Sequence, residues 1–166
     1  MVTLDPLPAD EFDRVAAWLA EPGVNQWLTG EWRDRTVNAT VVAVAVRNRR
    51  NRFFLVRNDT EAVGLVALSD IEPADRTAMV WYALGRGDLG GKGITTRAVS
   101  ELVRIAFGEM RLKSLYAWVM DGNLASKKVL QKAGFREAGR IRSASSFNGR
   151  QVDRVYFDQV PSDGVP

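Results

Sequence analysis

A glycine-rich segment, residues 90–93 (Gly-Gly-Lys-Gly), runs directly into a stretch with helical periodicity. The apolar residues of that stretch recur every three or four positions: Ile94, Ala98, Leu102 and Ile105. They predict an amphipathic helix over residues 94–108, closed by Gly108, and the apolar run 77–84 before the glycines predicts a strand. A strand followed by a glycine turn and the start of a helix brings unpaired backbone N–H groups together at the positive end of the helix dipole. This arrangement is typical of a phosphate site, to which Lys92 adds a full charge.

The segment fits neither of two known phosphate loops. A Walker loop has Ser or Thr directly after its lysine, whereas Gly93 follows Lys92, and the dinucleotide pattern fails at its last glycine. From spacing alone, a tight connection without a ligand is as good an interpretation as an anion site.

The chain contains neither histidine nor cysteine. This excludes a serine–histidine triad, a cysteine nucleophile and an ordinary zinc site. Any chemistry must use carboxylates, hydroxyls, lysine, backbone N–H groups or water, and no metal is expected.

Length and composition predict one domain, residues 1–160, followed by a disordered tail, residues 161–166. No apolar run reaches membrane length and no signal-peptide pattern is found, so we expect a cytoplasmic protein without a membrane partner. The net charge is +3, and the arginine-rich run 47–52 is typical of a solvated helix end. Composition therefore does not favour nucleic-acid binding.

The remaining patterns predict the elements that position the glycine segment. Helices are predicted over residues 11–20, 36–47, 94–108 and 124–133. Strands are predicted over residues 2–4, 52–57, 62–68, 77–84, 114–120, 135–147 and 150–159, with 52–84 forming an antiparallel meander around a turn at 70–76. Asn123 is a predicted helix cap, Gly134 a left-handed helix end, and Asn148-Gly149 a hairpin turn.

This order of elements, together with three sequence segments, resembles the Gcn5-related N-acetyltransferase superfamily. Residues 90–99 resemble its acyl-CoA pyrophosphate loop, residues 123–135 resemble an Asn-x-x-Ser helix, and residues 18–27 resemble the family's opening. Within the superfamily the chain resembles the RimJ/RimL-type ribosomal-protein alanine acetyltransferases. The resemblance implies an α/β (α+β) fold with a mixed central sheet of about seven strands, mostly antiparallel, flanked by about four helices.

The same resemblance implies an N-acyltransferase with acetyl-CoA as co-substrate, acting by direct attack of a primary amine on the thioester. The acceptor is expected to be a small-molecule amine or a protein N-terminus, and homodimers are common in the family. Ser126 is expected to protonate the departing thiolate; the alternative is a hydroxyl that satisfies a backbone group in the first helical turn. The implied cofactor-binding residues are Tyr82, Ala83, Leu84, Gly90, Gly91, Lys92, Gly93, Ile94, Thr95, Thr96, Asn123, Ser126 and Lys127.

The sequence departs from the family at the general base. The glutamate often found early in the fourth strand is missing from residues 78–80, and a second familiar carboxylate position falls in the serine run 143–146. We expect Asp153 to be the base, although an ion pair with Arg150 or Arg154 is an alternative role. Asp70 is the second choice and an expected substrate-binding residue. Three tryptophans, otherwise core residues, are expected in the acceptor pocket: Trp27, Trp32 and Trp81.

A missing base has a consequence for the substrate. Freeing an alkylamine with a pKa near 10.4 costs about 4 kcal/mol at neutral pH, whereas an α-amine costs only about 1 kcal/mol. A weak base therefore favours acceptors of low pKa. The missing bases also motivate an alternative function, a non-catalytic acyl-CoA-binding module for regulation or assembly.

Overall fold

Seven strands form one sheet within residues 1–163, which are the residues that the computed structural model describes. In chain order they are β1 (Val2–Pro6), β2 (Arg52–Asn58), β3 (Glu61–Glu72), β4 (Thr77–Leu84), β5 (Ser114–Met120), β6 (Arg136–Phe147) and β7 (Arg150–Gln159). Their spatial order is β1-β2-β3-β4-β5-β7-β6, and neighbours are antiparallel except for the parallel pair β4 and β5. The predicted mixed, mostly antiparallel sheet is confirmed.

The four predicted helices are present, with small differences at their ends. They are α1 (Phe12–Ala20), α4 (Ala39–Arg47), α5 (Ile94–Arg104) and α6 (Leu124–Lys132), and two one-turn helices lie between the first two, α2 (Pro22–Asn25) and α3 (Gly30–Arg33). The prediction that Gly108 ends its helix is wrong. A π-helical turn, Ile105–Glu109, continues α5 through Gly108, and Arg111 adopts the left-handed conformation instead, with φ 58°.

Helices cover both faces of the sheet, because side chains alternate along each strand. One core packs α5 and α6 against residues such as Val66, Leu68 and Val80. The other packs α1 and α4 against residues such as Leu55 and Leu65. The glycine segment and the Asn-capped helix therefore belong to one side of the sheet, and the N-terminal helices to the other.

The parallel strands β4 and β5 separate soon after they meet. They pair only at residues 77–79 against 114–116, whereas β4 pairs with β3 as far as Leu84. Beyond Met79, one edge of β4 consequently has no partner strand among the described residues. This divergence opens a cleft in the middle of the sheet.

Several predicted turns are observed, but one is displaced. Gly134 has φ 93°, and Asn148 and Gly149 have φ values of 50° and 73°, as expected for a two-residue hairpin turn. The turn predicted from residue 70 begins later, because β3 continues to Glu72 through a bulge in which Asp70 has φ 51°. At the C-terminus, Pro161–Asp163 forms a 3-10 turn, and residues 164–166 of the predicted disordered tail lie outside the described residues.

Candidate active site

The cleft between β4 and β5 has a volume of about 1010 Å³. Its walls are β4 and β5, the glycine segment with the start of α5, one side of α6, and residues from the α1–α3 region. Most of the predicted site residues line it: Trp27, Trp32, Asp70, Trp81, Tyr82, Ala83, Leu84, Gly90, Gly91, Gly93, Ile94, Thr95, Thr96, Asn123 and Ser126. Residues remote in sequence thus meet in one cavity.

The glycine segment presents backbone N–H groups to the cleft. Gly91 and Gly93 have φ values of 76° and 74°, which a side chain would make unfavourable. Gly93 precedes α5, and no side chain caps that helix, so the N–H groups of residues 94–96 have no partner within the helix. Such a turn fits the phosphates of acyl-CoA.

Two predicted lysines do not line the cleft. The hydrogen bond from Arg86 does most to lower the pKa of the Asp88 carboxyl, and Lys92 lies close enough to contribute a smaller part. The Nζ atom of Lys127 is 2.5 Å from Asp121 Oδ1. Lys128 and Lys132 line the cleft instead, and within residues 1–163 neither forms an ion pair.

Ser126 and Tyr82 form a hydroxyl pair across the cleft. The Tyr82 hydroxyl is 2.8 Å from Ser126 Oγ and donates to the Ser126 carbonyl oxygen at 3.0 Å. Burial raises the pKa of Tyr82 well above 10, so the phenol stays neutral. Asn123 Oδ1 accepts a hydrogen bond from the Ser126 N–H at 3.2 Å, which confirms the cap and fixes the turn that carries Ser126.

Aromatic side chains form the other end of the cleft. The ring centroids of Trp32 and Trp81 are 5.5 Å apart, and Phe53 packs edge-on against both. Trp81 Nε1 also donates to Ser69 Oγ at 2.8 Å. Trp32 is 4% exposed, so it belongs to the core as well as to the cleft wall.

Three acidic residues of the cleft lack the ion pairs that most of the other described carboxylates form. Glu21, Glu31 and Asp70 line the cavity, and none of the three forms an ion pair or a side-chain hydrogen bond within the described range 1–163. Asp70 lies in the β3 bulge, which breaks the alternation of the strand and turns its side chain towards the cleft. Unpaired carboxylates beside tryptophan rings are suited to a cation.

The structure argues against Asp153 as the base. Asp153 does not line the cleft; its Oδ2 is 2.9 Å from Arg140 Nη1, and its Oδ1 accepts from the Ser143 N–H at 2.9 Å. These two bonds, that of Ser143 first, hold the pKa of Asp153 below its usual value. The alternative role, an ion pair, is observed, but its partner is Arg140 on β6 and neither Arg150 nor Arg154. Arg140 itself lies opposite Val155, and the bulge between Ile141 and Ser145 places Ser143 beside Asp153.

Comparison with known proteins identifies the family. Residues 2–136 match the family described as Acetyltransferase (GNAT) domain. The chain belongs to this family. Relatives of known sequence include the probable N-acetyltransferase YjcK of Bacillus subtilis, 41% identical over 93 residues, which cover 55% of this chain and 51% of YjcK. The putative ribosomal N-acetyltransferase YdaF of the same organism is 31% identical over 99 residues, covering 60% of this chain and 54% of YdaF.

The matched segments thus span about half the length of these two relatives. A solved chimera of spermidine N-acetyltransferase SpeG from Vibrio cholerae and hSSAT superposes with a TM-score of 0.84 at 20% identity, over 97% of this chain and 96% of the other. The predicted GNAT fold and family are confirmed, and a relative named as a putative ribosomal N-acetyltransferase agrees with the predicted branch.

Sequence reasoning missed several cleft residues, among them Glu21, Glu31, Lys128, Lys132 and Trp118. A helical spacing could have identified the lysines. Ala125, Lys128 and Lys132 follow at intervals of three and four, and therefore share the face of α6 that turns to the cleft. The sequence gives no comparable signal for Glu21 and Glu31, because the one-turn helices beside them are too short to show a hydrophobic periodicity.

Proposed function

We propose that this GNAT protein transfers the acetyl group of acetyl-CoA to a primary amine that is cationic in solution, using the cleft between β4 and β5. The observation that carries this proposal is the distribution of charge in the cleft. Its lysines, Lys128 and Lys132, both lie on α6, and its carboxylates lie on N-terminal elements and β3. An anionic donor and a cationic acceptor are therefore attracted to different walls.

The donor half fits acetyl-CoA, which supplies a thioester, an amide-containing arm and phosphates. Backbone N–H groups of residues 94–96 and the two lysines of α6 would hold the phosphates. The edge of β4 from Val80 to Leu84 has free backbone groups that can pair with the amides of the arm. Ser126, held by Tyr82 and Asn123, would give its proton to the leaving sulfur.

The acceptor half fits an ammonium group that must pass a proton to solvent or to the Asp70 carboxylate before its amine attacks the thioester. Asp70, Glu21 and Glu31 raise the local concentration of cations, and the tryptophan faces stabilise positive charge. The acceptor is a small polyamine-like amine or a protein N-terminus; both present an ammonium group. A homodimer and a cytoplasmic location stay predictions.

The experiment measures CoA release from acetyl-CoA with spermidine, a simple alkylamine and an α-amino peptide, alongside calorimetry of acetyl-CoA binding. We expect release that depends on an amine. Asp70→Asn should raise the KM of the acceptor about fivefold without changing that of acetyl-CoA, because one partly solvated charge is lost.

Asp75→Asn is the matched control, since Asp75 lies in the exposed turn between β3 and β4, away from the cleft. Tight acetyl-CoA binding with no release for any amine would instead support the acyl-CoA-binding module. An unchanged acceptor KM in Asp70→Asn would show that the Asp70 carboxylate does not contribute to acceptor binding.

A further inference from the structure

The tip of the β6–β7 hairpin contacts the cleft wall formed by residues 22–34. The ring of Phe147 stacks on Trp27, with centroids 4.4 Å apart and an interplanar angle of 14°. The carbonyl oxygen of Ser146 accepts a hydrogen bond from Arg33 Nη1 at 2.9 Å. Phe147 itself does not line the cleft, so it can act there only through Trp27.

Trp27 differs from Leu28 and Trp32, two other apolar residues of this wall. Leu28 and Trp32 are 8% and 4% exposed and belong to the core. Asn25 Nδ2 donates to the carbonyl oxygens of Leu19 and Trp32, at 2.9 and 3.3 Å. The core therefore fixes the backbone of the segment, whereas Trp27 is half-buried and its indole is held by Phe147.

The hairpin is well suited to hold a side chain in place. Its two-residue turn, Asn148-Gly149, leaves little freedom at the tip. Arg154 Nε donates to the buried Ser145 Oγ at 2.7 Å, and the same guanidinium lies 4.0 Å from the ring centroid of Trp118. Trp118 lines the cleft too, so the hairpin contacts two tryptophans of the cavity.

We propose that Phe147 is a positioning residue for acceptor binding, which holds the Trp27 ring in the cleft wall. The inference rests on the proposed function, because that function assigns the acceptor to the tryptophan end of the cleft. A stacked aromatic pair changes an equilibrium constant by about two- to twelvefold. Removing Phe147 should weaken acceptor binding by this factor and leave acetyl-CoA binding unchanged.

The test compares Phe147→Ala and Phe147→Tyr with the control Ile141→Ala, which removes an exposed apolar side chain from the same strand. Hydrogen exchange of residues 24–33 is measured without substrates, and KM and kcat are measured with acetyl-CoA and the three amines named above. In Phe147→Ala we expect faster exchange, an acceptor KM raised about two- to twelvefold, and an unchanged KM for acetyl-CoA. Phe147→Tyr should restore wild-type values.

Equal exchange in wild type and Phe147→Ala, or an acceptor KM that does not change, would overturn the proposal. If Phe147→Ala does not fold, Arg33→Met removes the hydrogen bond to the Ser146 carbonyl oxygen at the tip and should change exchange and acceptor KM in the same direction. The absence of turnover in the wild type would refute the proposed function, whereas the exchange experiment would still decide whether Phe147 holds Trp27.

Discussion

The hydroxyl pair of Ser126 and Tyr82 combines two roles that the sequence suggested separately. The Tyr82 hydroxyl donates to a backbone carbonyl oxygen, so the proton shared within the pair can belong to Ser126. Burial raises the pKa of Tyr82, so its phenol stays protonated at neutral pH and keeps its hydrogen bond to the Ser126 carbonyl oxygen. With the Tyr82 proton engaged by this carbonyl oxygen, we take Ser126 as the candidate proton donor and Tyr82 as the group that holds it in position.

Replacing Ser126 with alanine should lower kcat by about 10²-fold or more, because proton transfer to the leaving sulfur is lost. Calorimetry should show unchanged acetyl-CoA binding, since Asn123 and the backbone of α6 remain. Ser100→Ala, on α5 outside the cleft, is the matched control. A kcat within about threefold of wild type would assign the proton to another group.

Asp70 departs from the alternation of side chains between the two faces of β3. The alternation of β3 alone would not place a carboxylate here in the cleft, but the bulge and the positive φ turn it there. A non-glycine residue in this conformation is strained, and strain of this kind is concentrated at functional sites. The sequence had suggested Asp70 only from its position at a predicted strand end.

At the scale of elements, two helices begin with the same kind of cap but only one borders the cleft. Asn123 Oδ1 accepts from the Ser126 N–H at the start of α6, and Asn38 Oδ1 accepts from the Val41 N–H at 3.0 Å at the start of α4. This pair separates the stabilising effect of a cap from an effect on catalysis.

Asn123→Ala and Asn38→Ala should each lower the free energy of unfolding by about 1 kcal/mol, the usual effect of losing a cap. Only Asn123→Ala should also lower kcat, because it loosens the turn that carries Ser126. Urea denaturation and steady-state kinetics on both variants make the comparison. A similar loss of kcat in Asn38→Ala would mean that stability, and not the geometry of α6, limits turnover.

At the scale of the whole molecule, an ion-pair network joins the end of β5 to α6 and the terminal hairpin. Asp121 pairs with Lys127 and Arg140, and Arg140 also pairs with Asp153. The pKa of Asp121 is lowered, mainly by Lys127, and the pKa of Asp153 is lowered, mainly by the Ser143 N–H. The network connects the helix of the candidate proton donor to the hairpin that contacts Trp27.

These directions predict a stability loss in acid. A carboxyl whose pKa is lower in the folded protein than the unfolded value of 3.8 stabilises the fold above that value, and the effect disappears as pH falls through the folded pKa. Asp153→Asn should therefore have a lower urea midpoint than wild type at about pH 7, and the difference should shrink below about pH 4. Asp75→Asn is the control, and a difference independent of pH would contradict the linkage.

Much of the fold follows from local signals. The hairpin turn at Asn148-Gly149, the helix end at Gly134 and the cap at Asn123 depend on residues next to each other, and all three are observed. Gly108 is the exception. The local signal predicts a helix end there, but α5 gains a π-helical turn, and the chain turns at Arg111.

The sequence by itself determined the elements, the glycine turn and the family, because hydrogen bonding within a helix, turn preferences and apolar periodicity act over a few residues. Only the tertiary structure decided which side chains reach the cleft. Lys128 lines the cleft and Lys127 does not, because packing on the sheet decides which face of α6 meets the cleft. Asp153 pairs with Arg140, a residue of the neighbouring strand 13 positions away in the sequence. Helical spacing groups Lys128 with Lys132, but which face of α6 meets the cleft and which residue pairs with Asp153 depend on how the elements pack.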